Sequence, residues 1–422
     1  MQLHVERWHP NNWQLLATVT AQAEQSFCVE YEPSHALQHQ NAITANSLSA
    51  SVPVTLEPMI FNRWPAFLRD LIPQGESRKR LAKLLNVPDR PSSDWTLLAH
   101  GGGNPIGHLR IREAANWLKE TTLNIHAWTQ DEITHYGGGF LDVVEAVVPN
   151  LGGGIQGEWP KLMLTESHDG FFYLDHMLTD LEAKQHWIVK LPRQHHPFFD
   201  LILKAEAAYH QVACDLGLSV GEVRYQNGAL FIERFDRTRN SHGVIDRIAQ
   251  ESLYAACGSN GIEPVLSHHQ ACKSLSNIVT NRQPVILEYV WRDILNLALG
   301  NRDNHGRNTA IHRHESDGND GCIQLAPIFD FGPMLMHPDG LVRRMRWRQE
   351  EASRPNWQLV AEHLDDEQIL PKDALMNCIA DWQDQLSRVP ELLRRYGCPE
   401  QVMSRIDTPF KSTMKTLSES IM

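Results

Sequence analysis

One segment carries acid, imidazole, amide and cation within nine residues: Gly300-Asn301-Arg302-Asp303-Asn304-His305-Gly306-Arg307-Asn308. Its Asp303 is followed five positions later by Asn308, a spacing suited to phosphoryl transfer. One carboxylate accepts the proton of an attacking hydroxyl, and a neutral amide oxygen holds Mg²⁺ without adding charge. The spacing alone is common, and a polar loop between helices is the ordinary alternative. The next stretch of chain adds a second ligand. Thr309 to His312 reads as a strand, Glu315 to Gly321 as a polar turn and Cys322 to Leu325 as the returning strand, after which the chain reaches Asp330-Phe331-Gly332. A hairpin brings its ends together, so Asn308 and Asp330 can reach one metal ion. Two oxygen ligands completed by phosphates and water suit Mg²⁺, and Asp-Phe-Gly matches the metal-binding triplet of protein kinases.

Phosphates also need cations and backbone N–H groups. Lys190 lies in Trp187-Ile188-Val189-Lys190-Leu191, an apolar strand from which its ammonium must reach either a cleft or the surface. Glu206 on the next helix could pair with it, but the helical wheel puts Glu206 at the margin of the apolar stripe, where it reads as a surface residue. Gly152-Gly153-Gly154-Ile155-Gln156-Gly157 offers free N–H groups to an anion. It equally suits a plain hinge.

These residues need elements to position them. Residues 1–115 read as an α+β subdomain, 116–140 as a connector, 141–240 as a β-rich lobe and 241–422 as a helical lobe. Within the first, Leu15 to Thr20 and Ser26 to Tyr31 read as strands, Trp64 to Leu71 as a helix and Ser77 to Asn86 as a basic helical stretch. In the β-rich lobe the strands are Lys161 to Thr165, Phe171 to Asp175, Trp187 to Leu191, Glu222 to Tyr225 and Ala229 to Phe235. The helix Phe199 to Leu216 carries Leu201, Ala205, Ala208, Val212 and Leu216 at helical spacing, with Gly217 to cap it. From 245 onward the expectation is helix, apart from one hairpin between about 309 and 330.

The chain has 422 residues, 39 basic and 51 acidic, for a net charge of −12. That length predicts two or three domains, and the acid excess argues against binding nucleic acid through bulk charge. Seven cysteines without a Cys-x-x-Cys pair fit reduced thiols in a cytoplasmic protein. Neither a secretory signal nor an apolar run of membrane-spanning length is expected.

Together the segments resemble the HipA family, the Ser/Thr kinase toxins of bacterial type II toxin–antitoxin modules. The carrying residues are Gly154-Ile155-Gln156 with Pro160-Lys161, then Lys190-Leu191-Pro192, Ile232-Glu233-Arg234-Phe235-Asp236-Arg237, Gly300 to Asn308, and Leu325 to Asp330. Phe67-Leu68-Arg69-Asp70-Leu71-Ile72-Pro73 is similar to a stretch of the family's N-terminal unit. The resemblance implies a two-lobed protein-kinase-like fold of α+β class with an added N-terminal subdomain, using ATP and Mg²⁺. It implies Asp303 as base, with His305 beside it in a structural or substrate-facing place. Asn308 and Asp330 would hold the metal. Lys190 would contact ATP phosphates, Gly154, Gln156 and Lys161 would belong to the phosphate loop, and the backbones of Glu233 and Phe235 would hold adenine. Family members phosphorylate aminoacyl-tRNA synthetases and pair with a helix-turn-helix antitoxin. No such DNA-binding domain is evident here, so DNA would be reached only through a partner.

Two departures stand out. Residues 150–161 contain no Ser or Thr, which puts the family's autophosphorylation switch in doubt at this position. The family's His-Gln-Glu-Asp helix reads here as Ala249-Gln250-Glu251-Ser252. Arg343, Arg344, Arg346 and Arg348 form a basic run that reads first as a solvated patch, with DNA, partner or substrate contact as alternatives. Besides a protein kinase, the same residues would serve a small-molecule kinase, or an idle nucleotide-binding module on the same scaffold.

Overall fold

The structure is a computed structural model describing all residues except 10–11, 24–25, 122–125, 148–160, 193–196, 240–242, 260–263, 316–320 and 422. The N-terminal part is built on an antiparallel five-stranded sheet. Its strand order is Met59–Phe61, Ser26–Tyr31, Asn12–Ala23, Gln2–His9, Leu109–Ile111. Alternation fixes its buried face: Ala17 pairs with Tyr31 and Val19 with Val29, and all four are buried with Phe67, Leu68 and Leu71 of the helix Ala66–Leu71. The strand Gln2–His9 went unread in the sequence because its alternation is broken by Glu6 and Arg7, both buried.

A second antiparallel sheet follows in the order Phe172–Leu174, Lys161–Ser167, Ala183–Lys190, Ala229–Glu233, Val223–Gln226. On one face Leu162, Leu164, Trp187, Val189 and Phe231 pack against Ile133, Phe140 and Val144. The register sets Lys161 directly opposite Lys190 and Met163 opposite Ile188, so both lysines leave the sheet on the other face. That face looks toward the helix Pro197–Asp215, whose Ile202, Leu203, Ala205, Tyr209 and Val212 are buried in the core of the helical lobe. Gly217 ends this helix at φ +81°, where its left-handed backbone lets Leu218 N–H reach the Ala213 carbonyl at 3.0 Å.

The helical lobe centres on Arg282–Ala298, packed against Glu400–Ile421 and Lys372–Ser387. It is not helical throughout. Ile245–Arg247 pairs with Arg237–Arg239, and Ala249–Ser252 pairs with Ala310–Arg313, which pairs in turn with Ile323–Leu325. Residues 249–252 are therefore a strand rather than a helix. The cause is tertiary: Glu251 meets Arg313 at 2.9 Å and accepts the Ala50 N–H at 2.8 Å, which fixes it in the sheet.

Buried charge joins the N-terminal subdomain to both lobes. Arg234 donates to Asp175 at 2.7 Å, to Asp236 at 2.7 and 3.0 Å and to the Pro105 carbonyl at 3.3 Å. Asp236 accepts the Gly107 N–H at 2.7 Å, while Arg237 donates to the Gly107 carbonyl at 3.0 Å. Gly107 stands at φ +92°, and a Cβ there would lie 3.0 Å from the Gln250 carbonyl, so only glycine fits this crossing. No helix among the described residues is long and apolar enough to cross a membrane.

Candidate active site

Lys161 and Lys190 converge on Asp330. Lys161 Nζ lies 3.0 and 2.9 Å from the two carboxylate oxygens, and Lys190 Nζ lies 2.5 Å from Oδ1. Lys190 also pairs with Glu206, which is buried on the helix Pro197–Asp215. The expectation of a surface Glu206 is thereby overturned. A buried carboxylate is tolerated where a cation meets it, and that partner lies across the cleft, out of reach of a helical wheel. Burial alone would raise the Asp330 carboxyl, but the two ammonium groups outweigh it and hold it below the ordinary range. Burial opposes the Lys190 charge, yet Asp330 and Glu206 raise its affinity for the proton. Glu206 is pushed upward by burial, against the pull of Lys190.

Asp330 adopts φ +50°, a left-handed backbone unusual for a side-chain-bearing residue. Its neighbours hold it there: Asn301 Nδ2 donates to its carbonyl at 3.2 Å, and Phe331 is buried with its ring 5.4 Å from that of Tyr209.

One cavity is lined by Lys161, Lys190, Phe235, Asn308 and Asp330, with Ile188 and Ile232 beneath. Asn308 donates its amide N–H to the Asp303 carbonyl at 2.8 Å. That leaves its amide oxygen as the end able to ligate a cation. With the Asp330 carboxylate it makes a pair of hard oxygen donors, a set that fits Mg²⁺ shared with phosphates and water. Among the described residues no group of three or more His, Cys, Asp or Glu forms a self-sufficient metal site.

Asp303 stands beside this cavity rather than in its wall, with about a third of its side chain (32%) exposed. Its amide is held by Asn301 Oδ1 at 3.3 Å. His305 Nε2 lies 3.6 Å from Asp303 Oδ1. His305 Nδ1 accepts the Arg307 backbone N–H at 3.2 Å, so the ring proton sits on Nε2, facing the carboxylate. Burial, reinforced by the Arg307 charge, lowers this imidazole to about 4, so it is neutral near pH 7.

The side chain of Glu233 is turned away from the cavity, accepting from Gln185 Nε2 at 2.5 Å and the Glu222 N–H at 2.9 Å. Gly154 and Gln156 lie outside the described residues. Asp70 and Arg307, which sequence reasoning had not singled out, also line the cavity. Asp70 accepts from Ser252 N and Oγ at 2.7 and 2.8 Å. The one trace of it in the sequence was the Phe67–Pro73 stretch that contains it. The basic run divides. Arg343 is buried, donating to Asp293 at 2.8 and 2.7 Å and to Glu350 at 3.0 Å, whereas Arg344, Arg346 and Arg348 are exposed. Reading Arg343 as part of a solvated patch therefore fails, because two buried carboxylates claim it.

Comparison with known proteins agrees over most of the chain. Residues 153–389 match the HipA-like C-terminal domain and residues 12–112 the HipA N-terminal domain. A Sinorhizobium fredii protein named "Putative kinase Y4mE" is 27% identical over 376 residues, 82% of this chain and 83% of that one. HipA of Shewanella oneidensis MR-1, solved with HipB and its operator DNA, superposes with a TM-score of 0.67 at 18% identity, covering 99% of both chains. The chain belongs to the HipA-like family and has its two-lobed α+β fold.

Proposed function

We propose that this chain is an ATP- and Mg²⁺-dependent Ser/Thr protein kinase of HipA type. Membership in the HipA-like family supports a kinase-type function. The observation that carries the finer reading is the gathering of Lys161, Lys190, Asn308 and Asp330 around one cavity, with Asp303 at its edge. Mg²⁺, held by Asp330 and Asn308, would supply charge neutralisation to the phosphates. The chain's own groups would do the rest. Lys190, braced by Glu206, and Lys161 would draw the anionic phosphates against the sheet. Asp303 would accept the proton of the incoming hydroxyl, its carboxylate oriented by the neutral His305 and its backbone by Asn301. Positioning and electrostatic stabilisation would then account for most of the rate gain. The backbones of Glu233 and Phe235 are the proposed adenine contacts, and Gly154 and Gln156 the phosphate-loop contacts.

A cytoplasmic setting belongs to the same reading, and the seven free cysteines support it. So does a helix-turn-helix partner, by analogy with the HipB-bound relative. The test is transfer from labelled ATP to proteins of a cell lysate, with phosphosite mapping. Wild type should label a discrete protein on Ser or Thr, and Asp303→Ala and Asp330→Ala should not. Equal labelling by both variants would remove the site assignment. Transfer only to sugars, aminoglycosides or amino alcohols would remove the protein-kinase reading.

A further inference from the structure

At the other end of the catalytic loop lies a second concavity, a groove of about 340 Å³. It runs between the start of that loop, the segment around 335–346 and the helix Glu400–Ile421. Although the chain carries a net charge of −12, no Asp or Glu lines this groove. Three arginines do. Arg343 is spent on Asp293 and Glu350. Arg302 and Arg346 are exposed, and among the described residues neither meets a carboxylate; Arg346 donates from Nε to the Arg343 carbonyl at 3.3 Å. The remaining wall is of two kinds. Leu335, Leu341 and the 68%-exposed Val342 offer apolar surface, while Ser353, Thr408 and Ser412 offer hydroxyls.

The groove is tied to the chemistry through Asn301. This residue lines the groove, its Oδ1 accepts the Asp303 N–H at 3.3 Å, and its Nδ2 donates to the Asp330 carbonyl at 3.2 Å. Arg302 is the residue next to Asp303 in sequence. Asn301 and Arg302 thus join the groove to the loop that carries the carboxylate assigned to the acceptor hydroxyl.

Building on the kinase reading, we propose that this groove seats an acidic polypeptide segment of the substrate, selecting hydroxyls flanked by Asp or Glu with an aliphatic residue close by. The chemistry favours a polypeptide over nucleic acid. Two guanidinium groups match one or two carboxylates, whereas a nucleic acid needs a longer row of cations. The strongly acidic remainder of the chain opposes a long polyanion. The apolar wall has use for an aliphatic side chain and none for a sugar–phosphate backbone. Arg302 and Arg346 are on this view specificity residues that act on binding, distinct from the groups assigned to transfer.

The test is fluorescence anisotropy with the full chain and labelled Ser-containing peptides flanked by Glu and Leu, by Gln and Leu, or by Lys and Leu. A single-stranded oligonucleotide of the same charge as the acidic peptide is run beside them. The acidic peptide should bind at least tenfold more tightly than the neutral one and weaken with salt. It should lose that advantage in R302E/R346E, with the variant's thermal midpoint serving as the folding control. A milder R302Q/R346Q pair keeps the test available should charge reversal disturb folding. Equal binding of the three peptides, retention of the preference in a folded variant, or equal binding of the oligonucleotide would each overturn the proposal. Binding needs no turnover, so acidic-peptide binding without phosphate transfer would leave the groove assignment standing and sink the kinase reading instead.

Discussion

Two clusters of buried charge are anchored on the same sheet, one at Lys161 and Lys190 and the other just after Ala229–Glu233, and they are used in opposite ways. Around Arg234, cations and carboxylates close on one another: the side chains of Arg234, Asp175 and Asp236 are 0%, 3% and 2% exposed, and two further donors go to the Pro105 and Gly107 carbonyls, while Arg237 Nε and Nη2 are buried without a hydrogen-bond partner among the described residues. Around Lys190 the pairing is left open. Asp330 keeps 19% of its side chain exposed, stands in a left-handed backbone and faces a cavity with both of its lysines. The first cluster spends its charge on holding three parts of the chain together. The second leaves its charge facing the cavity, where the proposed function puts the phosphates. A motif such as Ile232 to Arg237 therefore mixes two roles: Ile232, Arg234, Phe235 and Asp236 all line the cavity, while the ion pairs of Arg234, Asp236 and Arg237 bear the architecture.

The contrast breaks most sharply at Arg234. Arg234→Ala would leave Asp175 and Asp236 buried without their main counter-charge, a loss of about 3–5 kcal/mol. Urea denaturation should read it directly, and a loss below about 1 kcal/mol would show that the closed cluster does not hold the lobes. At the open end, Asp303→Ala should lower phosphate transfer by about 10²–10⁴-fold. Its urea midpoint should stay near wild type, since the side chain is one-third exposed. A comparable fall in stability would erase the distinction between the two regions.

Acid should act first on histidines outside both clusters. Burial lowers His268 to about 4 and His312 to about 3, against an ordinary value near 6.5. Their folded affinity for protons is thus below the unfolded one, so the unfolded chain takes up protons first as pH falls. Stability is complete above about pH 6.5 and declines from there toward pH 4, by about 1.4 kcal/mol per residue per pH unit. The carboxylates of the Arg234 cluster are held ionised, so their contribution to the slope begins only near their ordinary value of 3.8, at the acid end of that window. Urea midpoints at pH 7.5, 6 and 5 check this, and a flat profile would contradict it. The smallest effect belongs at the rim. Glu315, half exposed opposite Arg7, should cost about 0.5 kcal/mol or less when changed to Ala, a shift visible only at low salt.

How much the sequence made legible depends on how local each cause is. Ser26–Tyr31 is a short run of aromatic and β-branched residues and appears as a strand at the expected bounds, although Phe27, Cys28 and Val29 are all buried. The helix Pro197–Asp215 has an apolar stripe and a glycine stop, and it too lies where the spacing put it. Asp303, Asn308 and Asp330 carried their own spacing, and the structure brings Asn308 and Asp330 to one cavity with Asp303 at its edge. Glu206, Arg343 and Ala249–Ser252 were misread for a shared reason. Their environments are set by Lys190, by Asp293 and by the strand Ala310–Arg313, all remote in the chain, and no periodicity reports on a partner from another element. Gln2–His9 hid for the related reason that its buried face includes Glu6, which is paired with Arg110 and Arg112 at 2.8 and 2.7 Å.

Gly300 closes the helix Arg282–Ala298 at φ +68°, and a Cβ there would stand 1.8 Å from Leu335 Cδ2. The position is shut twice, by the sign of its dihedral and by lack of room for one methyl group. It also begins the loop that carries Asp303 and lines the acid-free groove. For a geneticist this is a natural place to make a conditional allele. One added carbon at residue 300 would disturb the loop and the groove together without adding or removing a charge, separating fitness effects of shape from those of net charge.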